Sequence, residues 1–234
     1  MPQSERYRVG LIGCGRIGSE WDAVPPVRAH THAGAFYAHP RCDLVAGANR
    51  GQERLEAFGR KWGVSGLYRD YAQMLAREAL DIVCIATHPE QHHEQVLAAV
   101  EGGAKAIFCE KPMAVSLAEC DEMIAACRDA NTLLVINHSR RWDPTFRKAK
   151  DLVDSGAIGR LLTMISHCEG VKPYPAWRAE EEGPLLHDAT HSFDLFRLYA
   201  GDAAWIMGTA VRRMRSFPVE DESMSIVTFR NGVT

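Results

Sequence analysis

At 234 residues, with 46% apolar and 24% charged residues, the chain has ordinary globular composition and enough material for one large domain or two modest ones. A formal net charge of −3 supplies no basic field for nucleic acid, and no apolar run approaches the roughly 20 residues of a membrane helix. The expected partners are small molecules, with neither nucleic acid nor a membrane among them. The polar stretch 1–8 lacks a signal-peptide core. The seven cysteines are an odd number without C-x-x-C spacing, so they read as buried free thiols of a reducing cytoplasm.

In chain order, an apolar run over 8–12 breaks into G-x-G-x-x-G at 13–18. In a βαβ unit that pattern seats a dinucleotide pyrophosphate on a helix N-terminus. Gly13 permits the tight turn, Gly15 lets backbone approach phosphate, and Gly18 allows close packing; Arg16 and Ile17 line the same turn. A segment over 21–30 containing Pro25-Pro26 reads as an inserted loop near the cofactor. Further strands are predicted at 43–48, 79–87, 104–109 and 132–137, alternating with helices at 52–62, 71–78, 90–101 and 117–130. Ser116 and Glu119 form a capping-box pattern before the last of these. The strands are continuously apolar, as strands covered on both faces are, so the first domain (1–140) reads as a doubly wound parallel sheet.

Ligands sit at the carboxyl ends of such strands. The second strand ends in Asn49 and Arg50, with no carboxylate for a ribose hydroxyl and a guanidinium able to meet a 2′-phosphate, so NADP is favoured over NAD. The third strand is followed by Thr87, His88 and His92, the fourth by Glu110 and Lys111, and the fifth by Arg141. Three polar clusters at successive strand ends are expected to surround one crevice.

Past 140 the pattern becomes α+β. A helix over 144–155, a strand over 161–168, a helix over 184–200 and strands over 204–213 and 223–230 are predicted, the strands favouring an antiparallel sheet. On the helix over 184–200, His187, His191 and Asp194 share a stripe, with Asp188 one step round. Such a stripe is costly to bury without a task, although a pair of hydrogen-bonded core histidines would also satisfy it. His187 and His191 have metal-ligand spacing, with His167 as a third nitrogen. The glutamate of H-E-x-x-H and an obvious carboxylate ligand are both missing, so no metal is expected. Asn231-Gly232 is a hairpin signal with only two residues after it, so the second domain (141–234) reads as incomplete.

The pieces GCGRIG at 13–18, ATHPEQHHEQVLAAVEGGAKAIFCEKPMA at 86–114, RRWDPTFRKAKDLVDSGAIGR at 140–160 and GPLLHDATHSFDLFRLYAG at 183–201 resemble the glucose–fructose oxidoreductase / inositol dehydrogenase / rhizopine-catabolism (Gfo/Idh/MocA) family. The resemblance implies a Rossmann domain, an open-faced sheet domain, and hydride exchange between a nicotinamide and a hydroxyl or keto carbon of a sugar, cyclitol or similar polyol. It implies Lys111 as the lysine at the reacting oxygen and His191 as the acid/base, and a homo-oligomer for a full-length form. The family commonly has aspartate where this chain has His187; a second imidazole does not supply the same fixed negative charge to His191, and Asp188, one step on, points about 100° away. Two alternatives stand beside this reading: an NAD-dependent glycoside hydrolase on the same scaffold, and a non-catalytic dinucleotide-binding regulator.

Overall fold

The computed structural model describes residues 6–169, 183–213 and 219–234; residues 1–5 of the polar N-terminal stretch lie outside them. The chain divides into two units, Met1–Asn137 and His138–Thr234. In the first unit, β1 (Tyr7–Ile12), β2 (Cys42–Ala48), β3 (Gly66–Tyr68), β4 (Ile82–Ile85), β5 (Ala106–Glu110) and β6 (Leu133–Asn137) form one parallel sheet in the order β3-β2-β1-β4-β5-β6. The order reverses between β1 and β4, which opens a crevice at the carboxyl ends of the strands.

Helices cover both faces. Leu11 and Cys84 point to the side where α1 (His32–Ala38) and α2 (Gln52–Trp62) pack Ala33, Leu55, Phe58 and Trp62. Ile12, Val83, Ile85 and Ile107 point to the other, against Met74 of α3 (Tyr71–Arg77), Val96 of α4 (His92–Glu101) and Met123 of α5 (Leu117–Asp129). Successive strand residues alternate between two buried faces, which is why the strands carry no polar alternation. The capping box forms as read: the Ser116 hydroxyl accepts from Glu119 N, and the Glu119 carboxylate accepts from Ser116 N.

Two elements escaped the sequence reading. Helix α1 follows directly on the proline-containing loop, its start capped by Thr31 accepting from Gly34 N. Strand β3 is three residues long, too short for a hydrophobic run, and is held by pairing to β2. The expected helix opening at the glycine motif is only a five-residue π turn, Arg16–Glu20.

In the second unit, α6 (Pro144–Asp154) begins at Asp143, whose carboxylate accepts from Thr145 N. A π turn over Leu185–Ala189 leads into α7 (Thr190–Ala200), and β7 (Ala203–Val211) pairs antiparallel with β8 (Glu222–Phe229). Ala200, Phe229 and Val233 form a small core with Phe196, Leu161 and Met164. Among the described residues, the strand expected over 161–168 is not assigned as a strand; its backbone bonds there run from Met164 N to Thr234 O (2.9 Å) and from Thr234 N to Leu162 O (3.1 Å). The Asn231-Gly232 turn does form, with Phe229 N donating to Val233 O. Among the described residues no helix is long and apolar enough to cross a membrane.

Candidate active site

The glycine turn is built by sterics. Gly13 has φ +95°, and a Cβ there would lie 2.6 Å from the Ala86 carbonyl oxygen, so only glycine lets the end of β1 press on the end of β4. A Cβ at Gly18 would strike the Gly13 carbonyl oxygen. Gly15 differs, since a Cβ there would meet nothing within 4 Å. The open space belongs to the position at which the motif requires bare backbone against a phosphate, so the turn fits a dinucleotide. The π turn after it lends less dipole than the expected helix, leaving the fit to local N–H groups. From α2, Lys61 Nζ donates to the carbonyls of Ser19 and Glu20, and Arg54 Nε donates to Glu20 Oε1 (2.6 Å), bracing the turn. Arg16 is exposed and Ile17 half-buried.

Asn49 anchors this turn from the end of β2: its Oδ1 accepts from Cys14 N (3.2 Å) and its Nδ2 donates to Gly51 O (3.1 Å). Arg50 is exposed, and Arg69 at the end of β3 donates Nε to its carbonyl (3.2 Å). Thr87 lies against Gly13 and donates its hydroxyl to Gln95 Oε1 (2.6 Å); His88 is half-buried beside it.

The expectation that His92 faces the cofactor needs correction. Its ring is fully buried, with Nδ1 2.9 Å from Pro112 O and Nε2 3.4 Å from Thr87 O. Burial, the largest influence, lowers its pKa and keeps the ring neutral, with one N–H to donate. The shorter contact takes that proton, and the histidine becomes a strut between the ends of β4 and β5.

Glu110 is also turned inward. Its Oε1 accepts from His32 Nε2 (2.8 Å) and Asn137 Nδ2 (2.7 Å), and its Oε2 accepts from Lys111 N (3.2 Å). Glu110 is 9% exposed and His32 6%. Burial opposes the imidazolium, yet the hydrogen-bonded Cys84 sulfur and Glu110 carboxylate outweigh it and raise the His32 pKa from 6.5 to about 10. Burial likewise opposes the Glu110 carboxylate, and His32, Asn137 and the Lys111 N–H overcome that to hold its pKa below the usual value. Lys111 itself is half-buried at the strand end. His32 was missed in the sequence. Thr31 before an alanine-rich run was the available helix signal, but nothing local pairs residue 32 with residue 110.

In the second unit, Arg141 and Asp194 form a bidentate pair, with Nε 2.9 and 2.8 Å from the two carboxylate oxygens. Asp194 thus holds Arg141, expected as a cofactor contact, rather than completing an imidazole stripe. His187, Asp188 and His191 are half-buried on the π turn and the start of α7, with His187 Nε2 3.9 Å from Asp188 Oδ1. The π turn packs an extra residue into its turn, so the angular spacing of His187 from His191 departs from the regular α-helical value. Glu220 accepts from Leu185 N (2.8 Å) and caps this helix start. His167 is exposed and paired with Glu169 (3.3 Å).

A parallel sheet with a sterically enforced glycine turn at its switch point, and a lysine beyond a buried strand, defines a dinucleotide-binding α/β protein. Sequence comparison supplies the family. The model of the NAD-binding Rossmann domain of the Gfo/Idh/MocA oxidoreductase family matches residues 7–138, and the model of its C-terminal domain matches 146–234. The chain belongs to this family. It is 32% identical over 235 residues to a D-apiose dehydrogenase of Paraburkholderia graminis, covering 98% of this chain and 59% of that protein. It is 30% identical over 196 residues to a myo-inositol 2-dehydrogenase of Thermotoga maritima, covering 83% of this chain and 55% of that protein. A dehydrogenase structure from Chromobacterium violaceum, in complex with NADH and UDP-GlcNAcA, superposes with TM-score 0.81 at 25% identity, covering 98% of this chain and 66% of that one. The chain spans somewhat over half the length of the two curated relatives.

Proposed function

We propose that this chain carries the nicotinamide site of an oxidoreductase acting on a hydroxyl or keto carbon of a sugar, cyclitol or similar polyol. The observation that carries the reading is the open face of Gly15 in a turn whose other two glycines are sterically required. The names of the relatives above, dehydrogenases of apiose and inositol, support the substrate class. Gly13, Gly15, Arg16, Ile17 and Gly18 would hold the pyrophosphate, Asn49 and Arg50 the adenosine ribose, and Thr87 and His88 the nicotinamide half, while Glu110 and Arg141, also expected there, are held by His32 and Asp194. The bound dinucleotide supplies the hydride acceptor or donor. Lys111 places an ammonium where charge develops on the substrate oxygen, and His191 takes or returns the hydroxyl proton near neutral pH, with His187 and Asp188 beside it.

The family binds NAD, and the finer preference for NADP rests on Arg50. Titration with NADPH and NADH, followed by a polyol and keto-sugar screen on nicotinamide absorbance, tests both levels. Saturable binding of either nucleotide is expected, and binding of neither removes the proposal. Arg50→Ala should weaken NADPH and spare NADH; equal loss for both dismisses the 2′-phosphate assignment. His191→Asn should lower turnover by about 10²–10⁴-fold with cofactor affinity nearly intact. Unchanged turnover would refute its role.

A further inference from the structure

Lys111 is clamped on both sides by groups that the chemistry above leaves without a task. On its N-terminal side, its own N–H donates to Glu110 Oε2, while Glu110 Oε1 is held by His32 from α1 and Asn137 from the end of β6. On its C-terminal side, the Pro112 carbonyl lies 2.9 Å from His92 Nδ1. A stability role explains the first clamp poorly. Desolvation of a buried ion pair largely offsets its attraction, so an apolar pair of similar volume often holds a fold equally well. What three donors from three segments do supply is one fixed position for a carboxylate, and through it for the backbone of the next residue.

We propose that His32 and Asn137 are positioning residues for Lys111, acting through Glu110 to fix where its side chain leaves the end of β5. The inference rests on the reading of Lys111 as the lysine at the reacting oxygen. His32 is placed for this by its own neighbourhood. Asp22 accepts from His30 N, Thr31 N and the Thr31 hydroxyl, and Thr31 caps α1. The loop over 21–30 is thereby closed at its ends, and the ring is delivered to the strand tips from the first turn of α1.

The test is amine acetylation of the full chain, read residue by residue by mass spectrometry, with exposed Lys148 as internal reference. In His32→Leu the Lys111 to Lys148 labelling ratio should change by at least about threefold, because the freed Glu110 no longer holds the Lys111 backbone. His32→Gln, which keeps a donor toward Oε1, should restore the ratio to within about twofold of the parent. A His32→Leu protein that melts lower with an unchanged ratio has lost stability alone, and that overturns the inference. Should His32→Leu fail to fold by circular dichroism, Asn137→Leu is read by the same ratio with the same two outcomes. NADH titration of the parent protein reports separately on the nicotinamide site. Absent binding there removes the functional reading, whereas an unmoved labelling ratio removes the positioning role.

Discussion

Residue 32 shows how a charge state can be set by position. With the His32 pKa raised above its unfolded value, the stability this ring adds is fully present below about pH 6.5 and is lost as pH rises through about 10. Glu110 has the opposite sign. Its pKa is lowered, so its contribution is present above about pH 4.3 and lost as pH falls through the folded-state value. His32→Leu leaves a buried carboxylate without its partner and should cost about 3–5 kcal/mol near pH 6. The deficit relative to the parent should shrink toward pH 10, measured by urea denaturation at both values. A deficit independent of pH would mean the ring is neutral in the native protein. The thiols give a second check at this scale. Burial, with Arg54 opposing and Glu20 assisting, pushes Cys14 up to about 12, and Cys168 is exposed whereas the other six are buried or half-buried. Under native conditions Cys168 should react first with a thiol reagent, and Cys14 and Cys109, both fully buried and both pushed up by burial, last, with all seven reacting in denaturant.

The element that invites dissection is the glycine turn, because its three glycines serve different ends. Gly15→Val should fold and melt like the parent, since its side chain enters open space, yet lose at least about tenfold in dinucleotide affinity where backbone must meet phosphate. Gly13→Ala should instead lose about 1–3 kcal/mol of stability, from the forced positive φ and the clash with Ala86. Thermal melts and NADH titration of the two variants separate these effects. If both variants lost stability alike, the space beside Gly15 would not be a ligand cradle. The order of elements in the first unit was legible from apolar runs and breaks. The exceptions were α1, obscured by the loop before it, and β3, too short to carry a pattern. The segment over 161–168 misled for the converse reason. It has a strand's composition, but a ladder needs a paired partner strand, and among the described residues its backbone bonds are those with Thr234.

At the scale of the whole molecule the two units differ in how much they bury. Among the described residues, the first has two multi-helix cores around its sheet, while the second centres on Ala200, Phe229 and Val233 and leaves Trp205, Ile206 and Met224 at least half exposed or nearly so on its strands. Less buried apolar area means lower local stability. Amide exchange in β7 and β8 should therefore be faster than in β1 and β4 and should collapse at lower urea. Equal protection throughout would indicate a single cooperative unit. The apolar runs, G-x-G-x-x-G and the capping box determined the parallel sheet, the dinucleotide turn and the position of Lys111 at a strand end, because each is a short-range pattern of volume and backbone freedom. Only the tertiary structure decided that Glu110 turns inward to His32, that His92 is a strut and that Asp194 holds Arg141. Those pairings join residues 78, 20 and 53 positions apart, and no local spacing encodes which distant group will lie within hydrogen-bond reach.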